Sequence, residues 1–130
     1  MNERRLLQAA VALAGLVPVL GGGLGALWPQ MLALTGPPHA LTHAAYLSGL
    51  LLGLGLGFWS LIPTIERQGR AFSLLAGLVL VGGLARAVAA ARLHSWGLSV
   101  MLPLVMELGV TPALWLWQKR VAKAFLSASE

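Results

Sequence analysis

Arg86 and Glu107 each stand within an apolar stretch, and each is the counter-ion the other needs. A guanidinium and a carboxylate can form two parallel hydrogen bonds. Arg86 has Gly82, Gly83, Ala89 and Ala90 at helical spacing, so nothing bulky hinders its side chain. His43 and Tyr46 are three residues apart and share a helix face. His43, Tyr46, Arg86 and Glu107 form the candidate ligand-binding set. In it Arg86 would hold a carboxylate, a phosphate or a lipid headgroup, and Glu107 would accept a proton. The plainer reading of the charged pair is a pin that fixes helix register.

Other chemistry is thinly represented. His39 and His43 have the four-residue spacing of a helical metal pair, but Pro37 and Pro38 put His39 at or before the helix start, with no carboxylate nearby. His43 and His94 could flank a haem only across two helices. Neither metal nor cofactor is expected. The chain has no cysteine, hence no disulfide, thiolate nucleophile or iron–sulfur site. It carries no nucleophile elbow, phosphate-binding glycine loop or paired catalytic acids, so no catalytic residue is assigned and the reading leans away from an enzyme.

The elements that must position these residues follow from composition. Of 130 residues, 58% are hydrophobic and only 10% charged, against about 25% charged in ordinary soluble domains. Mean hydropathy is +0.81. Four apolar runs, 6–28, 41–62, 71–92 and 97–117, each reach the roughly 20 residues that cross a bilayer as a helix. Lipid offers no hydrogen bonds to the backbone, so the runs must be helical. The expected fold is all-α, one integral membrane domain of four transmembrane helices over residues 1–130, with the tail after Lys123 an amphipathic extension or a frayed end. Helices three and four turn near Ser95. Arg86 lies nine residues before that turn and Glu107 twelve after it. This offset is about 4.5 Å along the axis, within reach of an arginine, so an Arg86–Glu107 ion pair is expected.

Charge sets the expected orientation. Arg4, Arg5, Arg67, Arg70, Lys119, Arg120 and Lys123 fall on one side of four alternating helices, against Arg92 on the other. The positive-inside rule then places both termini in the cytoplasm, in a bacterial inner membrane. The net charge of +5 is spent on this flanking pattern. It is not gathered on a face with aromatic or polar partners, which argues against nucleic acid. All five tryptophans, Trp28, Trp59, Trp96, Trp115 and Trp117, fall near expected interfaces. Gly49, Gly53 and Gly57 on helix two, and Gly83, Ala87 and Ala91 on helix three, read as stripes for close helix packing. The first stripe would turn His43 and Tyr46 into the bundle. Pro18, Pro103 and Pro112 would free the carbonyls of Ala14, Ser99 and Leu108. The connection from Pro29 to Ala40 must turn sharply at Gly36-Pro37-Pro38, and Pro63 to Arg70 reads as a short polar link.

Five stretches carry a family resemblance over nearly the whole chain. They are Gly15-Leu16 to Pro29, His43-Ala44-Ala45-Tyr46 with Ser48-Gly49, Ile62-Pro63-Thr64-Ile65-Glu66, Gly82-Gly83-Leu84-Ala85-Arg86, and Glu107 to Pro112. The chain resembles the bacterial membrane proteins grouped as domain of unknown function 4345. That resemblance implies a four-helix membrane bundle and no assigned activity. It also implies an arginine just before the tyrosine, where this chain has Ala45, so one cationic group of the family's pocket is missing here.

Three functions compete. Small size, the lack of a soluble domain and abundant small-residue faces favour an accessory or assembly subunit of a larger membrane complex, with partner subunits or a second copy. The alternative is a small-molecule or lipid-binding protein, an enzyme included, with an outward-facing pocket around Arg86 and Glu107. A transporter like the small multidrug resistance proteins ranks third. Their dual-topology members need a weak basic bias, unlike the seven against one counted here.

Overall fold

The computed structural model describes residues 2–32 and 36–130. Its helices are α1 (Glu3–Leu27), α2 (Pro38–Leu61), α3 (Gly69–Leu93), α4 (Leu98–Val105) and α5 (Thr111–Ala128). A 3-10 turn, Ile62–Arg67, follows α2, and a π-helical turn, Met106–Val110, joins α4 to α5. Among the described residues there is no strand. Four segments, Glu3–Leu27, Pro38–Arg67, Gly69–Leu93 and Leu98–Ala128, are long and apolar enough to cross a membrane. The fold is all-α, with four such helices. The last helix does not fray after Lys123 but continues to Ala128. The expected turn over Pro29 to Ala40 lies partly outside the described residues.

Local sequence sets the breaks. Pro37 is extended (φ −67°, ψ 157°) and Pro38 opens α2, where a missing N–H costs nothing. After Pro63, Thr64 leaves helical geometry (φ −125°, ψ 37°) and kinks the end of the second segment. His94 caps α3 in the left-handed region at φ 50°, and both His94 and Ser95 donate their N–H to the Ala90 carbonyl. That closure turns the chain towards α4, one residue from the Ser95 expected. Pro103 sits inside α4 and Pro112 in the first turn of α5.

Two compact units are distinguished. One spans residues 9–62, the other residues 1–8 with 63–130. In the first, α1 and α2 run antiparallel, and glycine sets their spacing. A side chain on Gly15 would collide with the Trp59 ring, one on Gly22 with the backbone of Leu52 and Ser48, and one on Gly55 with Val19 and Pro18. These positions advance along α1 by steps of four and three, the knobs-into-holes spacing of a left-handed pair. The stripe expected at Gly49 and Gly53 is therefore misplaced, because a Cβ on either would meet nothing within 4 Å. The contact face of α2 runs through Ser48, Leu52, Gly55 and Trp59 instead. Trp59 is also no simple interfacial anchor, since its Nε1 donates to the Ala12 carbonyl at 3.2 Å.

In the second unit the core lies towards the chain termini, where Leu7, Ile65, Phe72, Gln118 and Val121 are buried. Further along α3 the buried positions are Ala76, Gly83 and Ala90, seven residues apart. Of the expected stripe of Gly83, Ala87 and Ala91, Gly83 is buried and Ala87 half-buried, but Ala91 is exposed. A straight 3.6-residue helix follows a contact seam best at alternating steps of three and four. Trp115 is held within this unit, its Nε1 donating to Ser73 Oγ at 2.8 Å.

Candidate functional site

Arg86 and Glu107 meet as a two-pronged ion pair. Arg86 Nε donates to Glu107 Oε2 and Nη2 to Oε1, both at 3.0 Å. Two features bring them together. Gly83, one turn before Arg86 on α3, is buried against the Cβ of Glu107 and the side chain of Leu108. Pro112 cannot donate a backbone hydrogen bond, and the preceding turn widens to π geometry. There the Met106 carbonyl accepts both the Thr111 N–H and, at 2.9 Å, its hydroxyl. Glu107 sits on that widened turn. Single π turns of this kind recur at functional sites.

The pair is not sealed. The Arg86 side chain keeps 41% of its surface exposed, against 15% for Glu107. Arg86 Nη1 bonds to no described residue. Around it Gly82, Ala85 and Ala89 are exposed on the same face of α3, and a Cβ on Gly82 would meet nothing within 4 Å. Both carboxylate oxygens are already turned to Arg86, so the arrangement is electrically neutral. An incoming anion would have to displace Glu107 or face its repulsion, whereas a neutral acceptor would only need to reach Nη1.

Arg86 and Glu107 are thus the two of the four expected site residues that the structure brings together. His43 and Tyr46 lie one turn apart on α2, in the other compact unit, and both are exposed; Tyr46 retains 64% of its surface. They stand beside the open Gly49–Gly53 side of α2 and not on its contact face. His39 and His94 are exposed too, and among the described residues no three metal-ligating side chains cluster.

A second polar centre, missed in the sequence, lies in the same unit near the termini. Glu66 is buried and accepts from Arg4 Nε at 2.7 Å, while Arg4 Nη2 donates to the Pro63 carbonyl at 2.8 Å. The link from Pro63 to Arg70, expected to be merely polar, therefore packs inward through Ile65 and Glu66. Gln118 is wholly buried, and its Nε2 donates to the Ile65 carbonyl at 2.8 Å. Its Oε1 has no partner among the described residues, and a buried acceptor left unpaired costs about 1–3 kcal/mol. The available signal was Glu66 itself, one of only four acids in the chain, and an amide four residues from Leu114 on an apolar helix. A third ion pair, Arg120–Glu3 at 3.1 Å, is largely exposed and contributes little.

No curated protein and no solved structure matches the chain. The family comparison does yield a match, and it covers the α1–α2 contact, Arg86, Glu107 and Gln118. The chain belongs to the family described as domain of unknown function DUF4345, whose model matches residues 6–118.

Proposed function

We propose that this chain is a non-catalytic accessory or assembly subunit of a larger complex in the bacterial cytoplasmic membrane. It docks against a partner's transmembrane helix through the α3 face that carries Arg86. One observation carries this reading: an arginine within a membrane-spanning segment keeps 41% of its side chain exposed. Hydrocarbon cannot satisfy its free Nη1, whereas a carbonyl or hydroxyl on a neighbouring helix can. Gly82, Ala85 and Ala89 allow the close backbone approach that such a bond requires. By the positive-inside rule, the end bearing Arg4, Arg67 and Lys123 faces the cytoplasm.

The test is native mass spectrometry of the protein extracted from its own membrane in mild detergent, for wild type, Gly82→Leu and Arg86→Leu. The expected result is wild type with a defined subunit at fixed stoichiometry, and both variants inserted but alone. Wild-type protein that emerges without a partner, or partner capture unchanged in both variants, overturns the reading.

A second reading, a small-molecule or lipid pocket at Arg86 and Glu107, has the π-helical turn in its favour. It predicts a retained adduct in the same spectrum, lost in Glu107→Gln.

A further inference from the structure

The orphaned acceptor of Gln118 lies at the floor of a groove between the start of α3 and the second half of α5. The groove is wide open and offers about 670 Å³ of space. Its rim is cationic. Arg70 and Lys123 line it, both exposed and without an ion-pair partner among the described residues. Lys119 also lines it, its ammonium 4.1 Å from the centre of the Trp115 ring. No carboxylate is among the lining residues. The free N–H groups at the start of α3 add a further preference for an anion. Along α5, Ala122 and Leu126 supply an apolar wall.

The floor requires something else. The Nε2–Ile65 bond fixes the orientation of the Gln118 amide, because a flipped amide would set two carbonyl oxygens against each other. Oε1 must therefore point to the unpaired side, and it can only accept. Oε1 is covered, and Gly69 is its neighbour in the groove lining: a Cβ there would lie 4.0 Å from Oε1 and 3.9 Å from Nε2, so a donor reaches the acceptor by displacing only side-chain-free backbone. A bare anion would satisfy the rim and leave the floor unpaired. A quaternary ammonium would leave it unpaired as well.

We propose that this groove binds a phosphodiester that carries its own hydrogen-bond donor, a primary ammonium or a hydroxyl. The phosphate sits between Arg70 and Lys123, and the donor reaches Gln118 Oε1. The apolar wall beside the end of a membrane-spanning helix makes a phospholipid headgroup the source, with acyl chains along Leu126.

Native mass spectrometry of the purified, delipidated protein in detergent tests this directly. Phosphatidylethanolamine and phosphatidylcholine of matched chains would be added, with deacylated glycerophosphoethanolamine as a water-soluble competitor. Retention of the ethanolamine lipid should exceed that of the choline lipid by about threefold to tenfold, the value of one hydrogen bond. Gly69→Leu, which leaves Gln118 in place but sets a bulky side chain over its amide, should erase the difference. Arg70→Gln with Lys123→Gln should lower retention of both lipids. The substituted side chains are at the rim, and a melting curve followed by circular dichroism checks that each variant is folded. Competition by glycerophosphoethanolamine at equal concentration would assign the same chemistry to a soluble phosphodiester, and failure to compete assigns it to the lipid. Equal retention of the two lipids by wild type, or a preference that survives Gly69→Leu in folded protein, overturns the proposal.

Discussion

Gly83 lies directly under Glu107: a Cβ placed on this glycine would stand 2.8 Å from the Cβ of the glutamate. The missing side chain lets the π turn settle onto α3, one helical turn from Arg86. The Arg86–Glu107 pair is therefore built on a backbone approach as much as on charge.

Gly83→Val tests this relationship. Its side chain would also meet Leu108, whose Cδ2 lies 2.9 Å from the added Cβ. Overpacking of this kind costs about 1–3 kcal/mol, and thermal unfolding in detergent should register it. Gly82→Val, one residue away with open space before it, should leave the monomer's melting temperature near that of wild type.

Breaking the ion pair from one side should cost more than removing both charges. Arg86→Leu leaves a carboxylate without its cation, and Glu107→Leu leaves a guanidinium without its anion. Each single change should destabilise by about 3–5 kcal/mol, the range for a pair held away from water, since both residues lie within membrane-spanning segments. The double change should recover most of that loss. A double-mutant cycle on denaturation midpoints measures the coupling, and additive single effects would refute it.

The two glycine sides of α2 should respond oppositely. Gly55→Ala puts a methyl group 2.7 Å from the Val19 side chain and 3.1 Å from its backbone nitrogen. It should lower stability by about 1–3 kcal/mol. Gly53→Ala meets nothing and adds helix propensity, for a gain of up to about 1 kcal/mol. Parallel unfolding curves of the two variants give the comparison.

His94→Gly should stabilise the protein. The histidine holds φ at 50° to close α3, a conformation that costs a side-chain-bearing residue roughly 1 kcal/mol or more and glycine much less. The expected gain is about 0.5–1 kcal/mol in an equilibrium unfolding measurement. No change or a loss would mean that the imidazole makes a compensating contact.

Much of this protein was legible in its sequence because a bilayer leaves a chain few choices. Apolar runs of span length have to become helices, and the first three runs did so within about three residues of their expected ends, while the fourth continues past 117 to Ala128. Two charges at matching depth on neighbouring helices have to pair, and counting from the turn was enough to find Arg86 and Glu107. Tertiary structure alone decided which face of each helix is inside. On a helix that is apolar all round, no hydrophobic stripe marks the contact side. Gly53 was expected on the contact stripe and Gly55 was not, yet of the two only Gly55 lies against α1. The same ambiguity hid the second polar centre. Glu66 and Gln118 are buried together with Leu7, Ile65 and Phe72, Glu66 bonded to Arg4 and Gln118 to the Ile65 carbonyl. Sequence spacing could not foresee that arrangement, since it depends on residues brought together from both ends of the chain.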